Sequence, residues 1–173
     1  FTYRILKKSL DARRKPELFY TYSVAVDIKN ESAIVKRGRD SSVLIYEEKH
    51  YRIPPSGDVS LKSRPVIVGA GPAGLFCAFI LTEAGYSPIV IERGSRVEKR
   101  TQDVARFWET GVLDPSSNVQ FGEGGAGTFS DGKLNTSVKD PTGRNTLVLE
   151  TFVRFGADSS ILYDNKPHIG TDV

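Results

Sequence analysis

The segment Gly69-Ala70-Gly71-Pro72-Ala73-Gly74 constrains this chain more than any other. It fits the spacing G-x-G-x-x-G, and it lies between an apolar run, Val66–Val68, and a helical pattern, Pro72–Ala84, closed by Gly85. In that setting each glycine has a job. Gly69 allows a tight turn out of a strand, Gly71 leaves the backbone bare, and Gly74 lets helix and strand approach closely. The start of the helix then aims unsatisfied N–H groups and a partial positive charge at whatever lies before it, which suits a diphosphate. Pro72 fits the first helical turn, where its missing N–H costs nothing.

A second short apolar run, Pro88–Glu92, follows the helix, so the two strands are expected to form a buried parallel pair. Glu92 ends it, 23 residues after Gly69. An acid at that place accepts hydrogen bonds from a ribose diol and disfavours a 2′-phosphate, which argues against NADP.

Downstream, Ser95-Arg96-Val97-Glu98 matches a capping box. The helix that it opens carries Val97, Thr101, Val104 and Trp108 on one side and stops at Gly111. The stretch Phe121–Leu134 then holds five glycines between Gly122 and Gly132, with Phe121, Phe129 and Leu134 among them. Bare amides and freedom for positive φ suit contact with a flat or anionic ligand. Thr128, Ser130 and Lys133 add donors. A plain NAD-binding unit continues promptly to a third parallel strand, whereas here a long excursion from Gly94 to Asn135 intervenes. That is expected where a flavin must be covered by further segments. Arg93, Arg100 and Arg106 are candidates to neutralise the pyrophosphate. Thr146–Phe155 reads as another helix, and Ile161–Tyr163 as a strand.

Residues 1–60 read differently. Leu18–Ile28 alternates, with Tyr20, Tyr22, Val24, Val26 and Ile28 on one face, as in a half-buried antiparallel strand. Tyr3–Lys7 is its expected partner, Glu31–Arg37 a short helix and Val43–Glu47 another strand. Pro54-Pro55-Ser56-Gly57-Asp58 reads as a linker. The expected architecture is therefore α/β. Residues 1–60 form a small α+β module, and residues 61–173 the N-terminal part of a Rossmann-like βαβ domain that binds FAD or NAD(P).

Composition narrows the rest. A single cysteine, Cys77, excludes an internal disulfide framework and a redox pair, and its place in an apolar helix predicts a small buried hydrophobe. No apolar run is long enough to span a bilayer, there is no signal peptide, and the chain begins at Phe1. A cytoplasmic location is expected, with the natural N-terminus missing. The net charge of +3 is mild, so the cluster Lys7, Lys8, Arg13, Arg14 and Lys15 reads as a solvated face rather than a nucleic-acid site. His168 and Asp131 are the titratable candidates near the second glycine segment, but neither is assigned a catalytic role. Neither His168 nor His50 has the neighbours of a metal site or a nucleophile triad.

Several segments together resemble a family of uncharacterised bacterial FAD-dependent dehydrogenases. They are Arg64–Leu75, Ile91–Gly94, Ser117–Gln120 with Phe121–Leu134, Lys166–Asp172, and Ser9–Arg13 near the front. The Phe121–Leu134 and Lys166–Asp172 segments are the specific ones. The resemblance implies a glutathione-reductase-like FAD domain behind a small α+β module, with several hundred residues following, so that this chain is a fragment. It places FAD phosphates at Gly69, Ala70, Gly71, Pro72, Ala73 and Gly74 and the ribose at Glu92, beside Arg93 and Gly94. The flavin side falls near Gly125, Ala126, Gly127, Thr128, Ser130, Asp131, Gly132, Lys133 and Leu134. The implied partners are FAD and a small-molecule substrate or electron acceptor, with no membrane. Two other readings stay open: an NAD-binding domain of a dehydrogenase, and an interaction or RNA-binding module in residues 1–60 attached to a structural flavin domain.

Overall fold

The computed structural model describes residues 1–38, 40–136 and 138–169. Gly170, Thr171 and Asp172, the end of one family-like segment, lie outside them. The chain forms two compact units: Phe1–Tyr51 with Lys133–Val173, and Arg52–Gly132.

In the first unit, β1 (Thr2–Asp11) and β2 (Phe19–Asp27) form an antiparallel hairpin, followed by α1 (Glu31–Arg37). The apolar face of β2 is not half-buried as expected. Tyr20 is 61% exposed and Tyr22 48%, because α1 is only two turns long and buries none of its own residues. Val43–Glu47 is not a strand. A Ser42 N–H bond to the Asp40 carboxylate bends the chain into it, and no neighbouring strand pairs with it among the described residues. Extended backbone without a partner is not a strand.

The other edge of β1 takes up a distant segment. Lys8 N–H donates to Tyr163 O at 2.7 Å, and Asn165 N–H to Lys8 O at 2.9 Å. Leu134 N–H donates to Pro167 O at 2.9 Å beside a Lys133–His168 bridge. The Lys8 bonds join residues 163–165 to β1, and the first unit accordingly takes in residues from both ends of the chain. The helix α4 (Arg144–Arg154) ends where Gly156 takes φ 111°, as read from the sequence. Ile161–Tyr163, expected as a strand, is instead the end of a 3-10 turn, Ser159–Leu162. The Asp158 carboxylate caps that turn by accepting from Ser160 N–H at 2.7 Å, and the capped turn prevails over the β-forming preference of Ile161.

In the second unit, β3 (Val66–Val68) and β4 (Ile89–Ile91) pair in parallel, joined by α2 (Pro72–Glu83). Arg64 clamps the crossover by donating to Ser87 O at 2.6 Å and Pro88 O at 3.0 Å. The pairing matches expectation but the burial does not: Val68 is 84% exposed and Val66 57%. One helix covers one face of the pair. Ile67 points toward it, so its neighbours on the strand point away. For the same reason Cys77 is exposed, not buried, on a helix that is apolar all round.

The helix α3 (Val97–Thr110) follows and ends at Gly111 with φ 72°. Its buried residues are Arg100, Asp103 and Val104, whereas Trp108 on the predicted face is 71% exposed. The capping box does not form. Arg96 is the cap residue, and Val97 N–H is satisfied by the Glu123 carboxylate at 2.7 Å. No helix among the described residues is long and apolar enough to cross a membrane.

Candidate dinucleotide site

The turn leaving β3 is built as the glycine spacing requires. Gly69 sits at φ 105°, where a side chain would be strained. A Cβ on Gly74 would collide with the Gly69 carbonyl and approach Ile67 Cγ2 to 3.5 Å, so this glycine is what lets α2 lie against β3. Gly71 is different. A Cβ there would meet only Gly125 Cα, at 4.0 Å, and would fill space that is otherwise open. The first backbone bond of α2 runs from Leu75 N–H to Gly71 O at 2.9 Å. The amides of Ala73 and Gly74 precede it, and Pro72 has none to offer. Bare backbone, leading amides and an open approach fit a diphosphate.

Glu92 completes the turn. One carboxylate oxygen accepts from Ala70 N–H at 2.6 Å and the other from Gly94 N–H at 2.7 Å. The bond from Ala70, then that from Gly94, hold its carboxyl below the ordinary value of 4.5, so it stays anionic. A carboxylate has about four acceptor positions, so these bonds leave room for sugar hydroxyls. The expectation assigned Glu92 to a ribose; what the structure shows is a tie within the protein.

Residues 67–110 match the NAD(P)-binding Rossmann-like domain. This unit is a dinucleotide-binding βαβ of Rossmann type. A curated protein of Clostridium beijerinckii, itself described only as uncharacterized, is 47% identical over 169 residues, 98% of this chain. The present chain spans 31% of that protein's length.

The second glycine segment folds back onto the Rossmann turn. Gly124 N–H donates to Ala70 O at 2.8 Å, and a Cβ on Gly125 would meet Pro72 Cδ at 2.9 Å. Ala126–Phe129 forms one 3-10 turn. Thr128 Oγ1 donates to Gly125 O at 3.1 Å and Ser130 Oγ to Gly127 O at 2.8 Å, so both hydroxyls shape the loop itself. Gly132 N–H closes on Ser130 Oγ at 3.2 Å, and Asp131 is exposed beside it. Lys133 and Leu134 belong to the other unit, in the strand-like pairing with Pro167 and His168.

The arginines separate in role. The Arg93 guanidinium stacks over Phe121 at 4.5 Å. Arg106 is exposed on α3 and lies 3.6 Å from both Asp103 and Asp114. Arg100, expected to meet phosphate, is fully buried. It donates to Asn118 O at 3.0 Å and Glu123 O at 2.6 Å, and lies under the Phe129 ring at 5.0 Å. It braces the glycine loop from within. Sequence reasoning did not find the Glu123 tie to α3, because nothing within Ser95–Glu98 signals a carboxylate 26 residues away.

Proposed function

We propose that the chain binds FAD and serves a flavin-dependent oxidoreductase. The observation that carries this reading is the return of Gly124 and Gly125 to Ala70, Gly71 and Pro72 after the whole excursion that follows β4. A dinucleotide lying across the turn would then have a second glycine backbone beside its diphosphate. This is the covering that an extended flavin cofactor needs. The anionic Glu92 supports a cofactor with a free adenosine ribose, FAD or NAD, over one carrying a 2′-phosphate.

In this reading Ala73 and Gly74 direct their amides at the diphosphate, Gly71 admits it, and Glu92 accepts from the ribose. Arg100 and Glu123 hold the glycine loop in place. Bound FAD supplies a ring that takes up or releases a hydride or electrons. The test is to purify the full-length protein in native form, release its cofactor by denaturation and identify it by absorption and chromatography. FAD is the expected product. NAD(P) in its place, or a colourless protein that cannot be reconstituted with FAD, overturns the proposal.

A further inference from the structure

The outer edge of β2 leaves its bonding capacity unused. The sheet of the first unit has the order β1–β2, so β2 has β1 along one side and no strand along the other among the described residues. Beyond the hairpin itself, no backbone bond among those residues involves Phe19–Asp27. The second edge of β1, by contrast, is taken up by the bonds to Tyr163 and Asn165. β2 is nine residues long, and each of them except Ala25 is exposed. Such an edge presents a row of N–H and C=O groups on which another strand can pair.

Edges that must stay single usually carry a lysine, a proline or a bulge. β2 reads FYTYSVAVD, with no basic residue and no proline, and its one charge, Asp27, stands at the last position. The register shift of the hairpin falls in β1, between Ile5 and Lys7, so β2 itself runs without a bulge. The strand is also self-complementary when reversed. In an antiparallel pair of β2 strands centred on Ser23, Tyr20 lies opposite Val26 of the partner subunit and Tyr22 opposite Val24 of the partner subunit. Ser23 then meets its own copy. All four of Tyr20, Tyr22, Val24 and Val26 are exposed on one face of the strand, and aromatic residues opposite β-branched ones are a favourable pairing. No like charges stand opposite each other. A contact of this kind closes at two copies.

We propose that β2 pairs antiparallel with β2 of a second copy of this chain, joining two hairpins into a four-stranded sheet about a two-fold axis at Ser23. The pairing removes on the order of 500 Å² from each protomer, about 1,000 Å² in all, which is at the lower bound for a specific interface. The dimer is therefore expected to dissociate on dilution. It does not depend on which dinucleotide the other unit holds.

The test uses the full-length protein. Sedimentation over about a hundredfold range of concentration should give a monomer–dimer equilibrium. Ser23→Lys sets like charges face to face at the axis, with Lys7 across the hairpin adding to the repulsion, and should weaken association about fivefold or more. Ser23→Cys exchanges one atom. Residues directly opposite in an antiparallel pair have Cα atoms about 4.5–5.5 Å apart, within reach of a disulfide. Mild oxidation should therefore link two protomers of Ser23→Cys at least about tenfold faster than it links Thr21→Cys or the unaltered protein. The two copies of residue 21 stand roughly 13 Å apart along the strands in this register. A monomer at every concentration overturns the proposal, and would mean that another segment covers this edge or that it stays bare. Equal linking of Ser23→Cys and Thr21→Cys overturns it as well, as does growth beyond the dimer, the mark of open-ended strand stacking. Should Ser23→Lys fail to fold, the nearly isosteric cysteine variant still decides.

Discussion

Ala70 donates its backbone N–H to the Glu92 carboxylate across 2.6 Å, so the turn after β3 and the end of β4 are held by one side chain. The second oxygen of Glu92 holds Gly94 at 2.7 Å, at the entry to the excursion that carries the glycine loop. A single acid thus sets the position of the turn and presents the charge that a ribose would meet. Replacement by glutamine leaves one acceptor oxygen for two donors. Glu92→Gln is expected to lower stability by about 1.5–3 kcal/mol, the range for a hydrogen bond to a charged group. Urea unfolding of the chain measures this, and an unchanged midpoint would remove the tie from the account.

The same carboxylate predicts a pH dependence, and Asp140 adds to it. Burial pushes the Asp140 carboxyl up, but bonds from the amides of Arg144 and Asn145 prevail and leave it below 3.8. Glu92 lies below 4.5. Both groups hold protons less tightly folded than unfolded. Their contribution is therefore full above the ordinary carboxylate values and is lost as pH falls through the lowered folded ones. Melting temperature followed from pH 7 to pH 3 should fall most steeply at the acid end. The Glu92→Gln/Asp140→Asn variant should fall less over that interval.

Gly71 and Gly74, three residues apart, should respond in different ways to one methyl group. Gly71→Ala places a Cβ in ordinary contact with Gly125 and should fold normally while losing at least about tenfold in dinucleotide affinity, about 1.4 kcal/mol. Gly74→Ala drives a Cβ into the Gly69 carbonyl and should cost about 1–3 kcal/mol of stability as α2 is pushed off β3. Thermal melts and cofactor titration of both variants distinguish a cradle from a packing contact. Equal melting losses in the two would contradict the geometry.

Arg100 gives a third contrast. Arg100→Met leaves the carbonyls of Asn118 and Glu123 without their donor and should cost about 2–3 kcal/mol. Limited proteolysis should then cut within 118–129. Arg100→Lys should restore only part, since an ammonium cannot reproduce the fixed fork of a guanidinium. Complete protection in Arg100→Met would show that the loop does not depend on this brace.

Asp140 also caps α4, with Arg144 N–H at 2.8 Å and Asn145 N–H at 2.7 Å from its carboxylate. Asp140→Ala is expected to cost about 1 kcal/mol, typical of a lost N-terminal cap. Amide exchange along 144–148 is the direct measure: faster exchange confined to that first turn is the expected result.

What the sequence determined by itself is local. The β3–turn–α2–β4 unit, the place of Glu92, the bounds of α1 and the glycine ends of α2, α3 and α4 all follow from residues within a few positions of one another. Periodicity, φ freedom and helix termination act over that range. The tertiary structure alone decided the rest. Glu123 caps α3 from 26 residues away in place of the box at Ser95. Arg100 turned inward because the carbonyls of Asn118 and Glu123 offered it partners. Ile161 joined a capped turn, and Tyr163 and Asn165 found the free edge of β1 more than 150 residues from it. Burial of Cys77 and of Val68 likewise depended on which faces a single helix could cover. Each of these outcomes is a choice among partners distant in the chain, and pairing between distant groups is settled only when the backbone has brought them within bonding distance.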